Sequence, residues 1–195
     1  MDKIVIASNN AGKLREFQFL LQPLNIEVFT QEKLGIIEAE EPHSTFIENA
    51  LAKARHVSQQ SGLPALADDS GICVSALGGA PGVISARYAG ADPRSDQLNN
   101  QKLLQEMQGV ADRRAHYYCV LVLLRHAHDP QPLIAEGEWH GMVAEQERGG
   151  NGFGYDPLFW LPEFAMTSAE LSREQKHVFS HRGKALRILL QKLQA

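Results

Sequence analysis

The chain has 195 residues, 44% of them hydrophobic and 22% charged, which fits one globular domain with a real core and excludes disordered and fibrous classes. A formal net charge of −4 argues against a protein that coats nucleic acid, which would be basic, but leaves room for a local cluster of cations around a small anion. The two cysteines, Cys73 and Cys119, lack zinc or redox spacing and sit in apolar stretches typical of buried thiols, and no apolar run reaches the length of a signal peptide or a membrane span, so a cytoplasmic protein that does not bind membranes is expected.

Ile4-Val5-Ile6-Ala7 predicts a short buried strand. Asn10 then caps a helix on which Leu14, Phe17, Leu20 and Leu21 recur at helical spacing, and Pro23 ends it. A second strand is expected over residues 25–29, followed by an acidic loop over residues 38–41. Thr45-Phe46-Ile47-Glu48 has capping-box form, so a second helix starts there and runs to about Gly62. Residues 63–67 predict a short strand ending in Asp68-Asp69-Ser70-Gly71, and a separate strand follows at 72–75 before the turn-rich Gly78-Gly79-Ala80-Pro81-Gly82. A Leu- and Gln-rich helix over 97–108 stops at Gly109. Residues 115–125 are the strongest strand candidate, joined through Asp129-Pro130-Gln131-Pro132 to another strand through Trp139 as a hairpin. A loop with Gly149, Gly150, Gly152 and Gly154 leads to a second capping box, Ser172-Arg173-Glu174-Gln175. The last helix follows Ser180, with Ala185, Leu186, Leu189, Leu190 and Leu193 on one face. Early alternation of strands and helices with a late hairpin indicates a mixed α/β sheet.

Four groups of residues could carry chemistry. Ser8-Asn9-Asn10-Ala11-Gly12-Lys13 is a polar strand-to-helix loop, and backbone N–H groups at a helix N-terminus suit phosphate. It is not a P-loop, because Ala7 stands where glycine is needed and Leu14 follows the lysine. A cation near the positive end of a helix is unfavourable by itself, so Lys13 faces either solvent or an anion. The same tension recurs at Ser180-His181-Arg182. There Arg182 either pairs with a nearby acid or meets an electron-rich ligand. Asp68 and Asp69 suit Mg²⁺, which takes one or two carboxylates plus substrate phosphates, or a general base; equally, they could be turn acids. Glu38, Glu40 and Glu41 are further candidate ligands, although acidic loops are ordinarily solvated. Asn49, Lys53 and His56 form a polar stripe of a kind that usually faces solvent. Gly152-Phe153-Gly154-Tyr155-Asp156-Pro157 could let a flat ligand approach an aromatic ring, or serve as ordinary turn chemistry.

Taken together, Ser8-x-Asn10-x-x-Lys13, Thr45-Phe46-x-Glu48-Asn49-Ala50, Ala67-Asp68-Asp69-Ser70-Gly71, Gly78-Gly79-x-Pro81-Gly82, Phe153-Gly154-Tyr155-Asp156-Pro157 and Ser180-His181-Arg182 are far more specific. In that order the chain resembles the inosine triphosphate pyrophosphatase family of non-canonical purine triphosphate pyrophosphatases, and most of all its bacterial XTP/dITP members. The resemblance implies one pyrophosphatase domain over residues 1–195, with a long mixed central sheet, flanking helices and two lobes around a substrate cleft. It also implies a homodimer, Mg²⁺ as cofactor, and hydrolysis of ITP, dITP and XTP to the monophosphate and pyrophosphate. By the same resemblance, Ser8, Asn9, Asn10, Ala11, Gly12 and Lys13 would hold the triphosphate, with Lys53 also on phosphate. Asp69 would be general base and metal ligand beside Glu40, with Glu41 as the alternative, and Ser70 would touch substrate. Phe153 would stack on the base, Gly154, Tyr155 and Asp156 would complete that wall, and Lys176, His181 and Arg182 would recognise the nucleotide. Asn9 departs from the Thr-Gly-Asn of some members. A pyrimidine-specific pyrophosphatase and a non-catalytic nucleotide binder are the competing readings; neither nucleic acid nor membrane is an expected partner.

Overall fold

The computed structural model describes residues 1–21 and 26–194. Along the chain run β1 (Lys3–Ala7), α1 (Ala11–Leu21), β2 (Glu27–Thr30), α2 (Phe46–Ser61), β3 (Ala65–Val74), α3 (Asp96–Glu106), β4 (Arg114–Leu124), β5 (Leu133–Val143), β6 (Phe159–Leu161), β7 (Met166–Thr167), α4 (Arg173–Phe179) and α5 (His181–Gln194). The strands form a seven-stranded sheet in the order β2-β1-β3-β4-β5-β6-β7. β1 pairs in parallel with β2 (Val5 opposite Phe29) and with β3 (Ile6 opposite Leu66), whereas β6 is antiparallel to both β5 and β7. The sheet is thus mixed, with helices in its connections, as expected. Pro23, expected to end the first helix, and Asn25, expected to open the second strand, lie outside the described residues.

The helices begin where local side chains can satisfy their free N–H groups. Thr45 Oγ1 accepts from the Glu48 amide, and Ser172 and Gln175 form both halves of a capping box. In α2 the box is only half made, because the Glu48 carboxylate accepts instead from the Thr45 hydroxyl at 2.5 Å. The short β6 and β7 carried no sequence signal, being too brief to show a period.

One expectation fails instructively. Asp68-Asp69-Ser70-Gly71, expected to connect two separate strands, lies inside the single ten-residue strand β3. Gly71 explains why a turn-forming composition can be strand here. A Cβ on it would meet Gly82 O at 2.3 Å and Ser85 Oγ at 2.4 Å, so glycine is required for close approach of backbone and not for a bend. Successive strand residues point to opposite faces, and Asp68 and Asp69 are therefore parted from one another.

The chain divides into two compact units, one of residues 1–69, 119–137 and 182–195, the other of residues 70–118 and 138–181. The first packs Ile4, Ile6, Phe17, Leu66, Leu121, Ala185, Leu186 and Leu189 into one core, which uses the predicted apolar face of α5. The second is built on Ile72, Leu103, Tyr117, Trp139, Leu158 and Phe159. Each large apolar side chain removed from water stabilises its unit by about 1.5–3 kcal/mol. Cys119 is buried, as expected for an inert thiol, and Cys73 is half-buried; both are free. No helix among the described residues is long and apolar enough to cross a membrane.

Candidate active site

β1 delivers Ser8, Asn9 and Asn10 to the start of α1. Ser8 is buried and its Oγ accepts from the Asn10 amide at 3.2 Å, while Asn9 Oδ1 accepts from Gln31 Nε2 at 2.9 Å. Asn10 Oδ1 accepts from the Lys13 amide at 3.0 Å, the predicted cap; Ala11 and Gly12 are the first residues of α1. Among the described residues Ala165 is the one non-glycine with a positive φ. Asn9 therefore occupies backbone open to any residue, and its departure from glycine introduces no strain.

Lys13 and Arg182, the two cations that open helices, meet on one acid. Asp68 is fully buried, with Lys13 Nζ on Oδ1, and with Arg182 Nε at 3.0 Å and Cys119 Sγ at 3.1 Å from Oδ2. Arg182 is itself buried and reaches Glu16 Oε2 from Nη1 at 2.5 Å. Burial works against ionising Asp68, but Arg182 and Lys13 together outweigh it and hold the carboxyl well below the usual range. The same balance, with burial opposed by Asp68 and Glu16, keeps the Arg182 guanidinium firmly charged. The helix-start cations are thus neutralised from within the protein.

Asp69 faces a different group. Lys53 Nζ bridges Asp69 Oδ1 at 3.0 Å and Glu41 Oε1 at 2.8 Å. The stripe expected to face solvent is turned inward at two of its three positions: Asn49 and Lys53 are buried, His56 is half-buried, and Asn49 bonds both the amide and the carbonyl of His43. Periodicity alone cannot say which face of a helix is covered, and here the acidic loop covers a polar one. Burial is the main influence on Asp69 and raises its pKa despite the opposing pull of Lys53 and Lys13. Lys53, penalised by burial but flanked by Asp69 and Glu41, is held above the ordinary lysine value. Asp69 Oδ2 is buried with no hydrogen-bond partner among the described residues. Leaving such an oxygen unsatisfied costs about 1–3 kcal/mol, and a raised-pKa carboxylate with a vacant acceptor is suited to orienting water or holding a hard cation. Glu40 is exposed, whereas Glu41 joins the Lys53–Asp69 group. Among the described residues no three or more His, Cys, Asp or Glu side chains converge as metal ligands. Asp69 and Glu41, which share Lys53, offer only oxygen donors, the ligand type that Mg²⁺ prefers.

The second unit carries a wall of rings and polar groups with one ion pair, Lys176–Asp156. Ser70, the residue after Asp69 on β3, is half-buried at its start. Phe153 donates its amide to Asp156 Oδ2 at 2.9 Å, and Lys176 Nζ contacts the same oxygen at 2.5 Å while lying 4.8 Å from the centre of the Phe153 ring. Asp156 Oδ1 accepts from Ser168 Oγ at 2.8 Å. Gly152 must be glycine, since a Cβ there would meet Asp156 Oδ2 at 2.0 Å and its φ is +82°. Tyr155 is buried and its hydroxyl donates to Ser85 O at 2.7 Å, so it anchors the loop. His181 is buried and stacks on Tyr117, with ring centroids 4.6 Å apart and planes 7° from parallel.

Lys13, Asp68 and Arg182 therefore share one network and Lys53 and Asp69 another, while Phe153, Asp156 and Lys176 interlock in the second unit. Glu41, the alternative acid beside Asp69, joins the second of these groups, and Glu16 and Tyr117 complete the others without a signal read from the sequence. Glu16 stands three residues after Lys13, a spacing that puts both on one helix face and could have flagged it. Tyr117 had no such signal, because its partner lies on another element.

Comparison with known proteins agrees along the whole length. The model of the Ham1 family matches residues 4–192. The chain is 65% identical to the dITP/XTP pyrophosphatase of Nitrosomonas europaea over 193 residues, 99% of this chain and 95% of that protein. It is 62% identical to the protein of the same name from Ralstonia nicotianae, covering 99% and 97%. Among solved structures it superposes on a HAM1 protein from Coxiella burnetii with a TM-score of 0.92 at 45% identity, covering 100% of both chains. The Ham1 protein of Staphylococcus aureus gives 0.87 at 40% identity, covering 98% of each.

Proposed function

The chain belongs to the Ham1 family, and from that premise we propose that it hydrolyses the non-canonical purine nucleoside triphosphates ITP, dITP and XTP to the monophosphate and pyrophosphate, clearing deaminated purines from the nucleotide pool. The observation that carries the chemistry is the buried Asp69 carboxylate, with one oxygen on Lys53 and the other without a partner. A water held by Asp69 attacks the α-phosphorus, its proton passes to the carboxylate, and the bond to the bridging oxygen breaks with pyrophosphate leaving. A general base in this position contributes roughly 10²–10⁴-fold. Its raised pKa makes Asp69 a stronger base than an ordinary aspartate.

Ser8, Asn9, Asn10, Ala11, Gly12 and Lys13 take the phosphates at the helix N-terminus, and Lys53 adds a second cation. Asp69 and a glutamate of the acidic loop would hold Mg²⁺, which when bound would neutralise triphosphate charge and polarise phosphorus, and Ser70 would touch substrate. The shared Lys53 contact favours Glu41 over Glu40 as that glutamate. Removing the true ligand, by Glu41→Gln or Glu40→Gln, raises the Mg²⁺ concentration needed for half-maximal rate, while the other variant leaves it unchanged.

The base is taken by Phe153, whose stacking is worth about 1–3 kcal/mol, within the wall of Gly154, Tyr155, Asp156 and Lys176. His181 serves the purine 6-carbonyl, while Arg182, held through Nε and Nη1 on Asp68 and Glu16, supplies fixed positive charge. The stack on Tyr117 fixes the His181 ring for that task. ATP presents an amino donor in place of that acceptor, a mismatch that supports strong selectivity. The reading includes a cytoplasmic homodimer, which sedimentation and cell fractionation test.

The decisive experiment measures pyrophosphate release from ITP, XTP, GTP, ATP and dUTP with Mg²⁺ and with chelator. Turnover of ITP and XTP that needs metal, with little from the others, is expected. Equal turnover of all five would refute base recognition, and tight ITP binding without turnover would make the chain a sensor.

A further inference from the structure

The glycine-rich stretch over residues 149–154 has no regular secondary structure to hold it, yet the ring at its end must keep one pose if it is to stack on a base. Two bonds from a separate helix meet that need. Asp96, at the first position of α3, accepts from the Gly154 amide through Oδ2 at 2.7 Å, and Asn100 donates through Nδ2 to the Gly154 carbonyl at 3.2 Å. The two side chains are four residues apart and so share a helix face. Gly154 has φ +63°, a conformation that only glycine adopts freely and that is costly to hold. The Phe153 backbone is thereby pinned on both sides, its own amide by Asp156 within the loop and the following amide by Asp96 from outside it.

α3 is firmly tied in its turn. Ser95 caps it through the Leu98 amide, Asn99 bonds Ala86 O at 3.1 Å and the Ala89 amide at 2.8 Å, and Lys102 donates to Tyr88 O at 2.8 Å. Asn100 is buried with Oδ1 unpartnered among the described residues. A buried amide with one half unsatisfied is unfavourable, and the half that is satisfied lies on Gly154.

We propose that Asp96 and Asn100 are positioning residues that hold the Gly154 peptide groups and thereby preset the Phe153 ring for the purine base. The inference rests on the reading of Phe153 as the stacking residue. Presetting a loop lowers the entropy lost on binding, so the effect falls on KM.

The test compares wild type with Asp96→Ala, Asp96→Asn, Asn100→Asp, Phe153→Ala and the double variant Asp96→Ala/Phe153→Ala. The readouts are kcat and KM for ITP with Mg²⁺, and Tm. Asp96 is exposed, so its truncation should leave Tm nearly unchanged. Loss of one hydrogen bond predicts a KM increase of roughly 3- to 10-fold with kcat within about two-fold. Asp96→Asn keeps a side-chain oxygen and restores most of the loss. Asn100→Asp sets an acceptor against the Gly154 carbonyl and also raises KM. In the Phe153→Ala background, Asp96→Ala should add little, because the ring it positions is gone. A raised KM for Phe153→Ala with an unchanged KM for Asp96→Ala overturns this inference alone, as does full multiplication of the two effects. An unchanged KM for Phe153→Ala removes the stacking reading and this inference with it.

Discussion

In the unit that holds Lys13, Lys53, Asp68 and Asp69, buried charges are answered by opposite charges: Asp68 by Lys13 and Arg182, Asp69 and Glu41 by Lys53. In the unit that holds Phe153 and His181, polar side chains mostly secure backbone and rings. Tyr155 bonds Ser85 O, Asp96 and Asn100 bond Gly154, and Tyr117 stacks on His181; Lys176–Asp156 is the exception, and it too borders a ring. On the function proposed above, the difference matches the two ends of a nucleotide. A triphosphate calls for fixed charge in a low-dielectric setting, whereas a base calls for a flat surface and aligned hydrogen bonds. Within the charged unit the two aspartates differ as well. Asp68 lies between two cations and suits holding them in place, and Asp69 keeps one oxygen for something else.

Substitutions that separate these roles test the contrast. The largest effect is expected from Asp69→Asn, which should lower kcat by roughly 10²–10⁴-fold with little change in Tm, measured by pyrophosphate release. Asp68→Ala should act on the fold: it leaves buried cations short of a partner, and breaking such a pair costs about 3–5 kcal/mol, read from urea unfolding. Equal behaviour of the two variants would erase the distinction between them. In the other unit, Phe153→Ala should raise KM for ITP by the equivalent of about 1–3 kcal/mol and leave the stability of the charged network untouched.

Two smaller effects depend on pH. Because Asp69 has a raised pKa and must be ionised to take a proton, the acid limb of kcat/KM should lie above the ordinary aspartate value of 3.8. Lys53 stabilises the ionised form, so Lys53→Met should move that limb to still higher pH; a downward shift would contradict the pairing. Asp68 behaves in the opposite sense. Its depressed pKa contributes stability that is present above the unfolded value near 3.8 and lost as pH falls through the folded one. Wild type should therefore lose more stability in acid than Asp68→Ala does.

What could be read from the sequence were the features set by neighbours along the chain. The caps at Asn10, Thr45 and Ser172 join groups three residues apart, and the apolar periods of α5 and β4 need only a few turns or residues to show. Ordered motifs, including Asp68-Asp69 and Phe153-Gly154-Tyr155, also carried the family without any coordinates. The tertiary structure alone decided that Asp-Asp-Ser-Gly is strand, because the approach of Gly82 and Ser85 to Gly71 is not a local property. It alone turned Lys53 inward, brought Glu41 to its side, and seated Arg182 on Glu16, 166 residues away. Capping and periodicity act over a turn of helix or two strand residues, but the partner of a buried charge is chosen by which distant segments exclude water from it together.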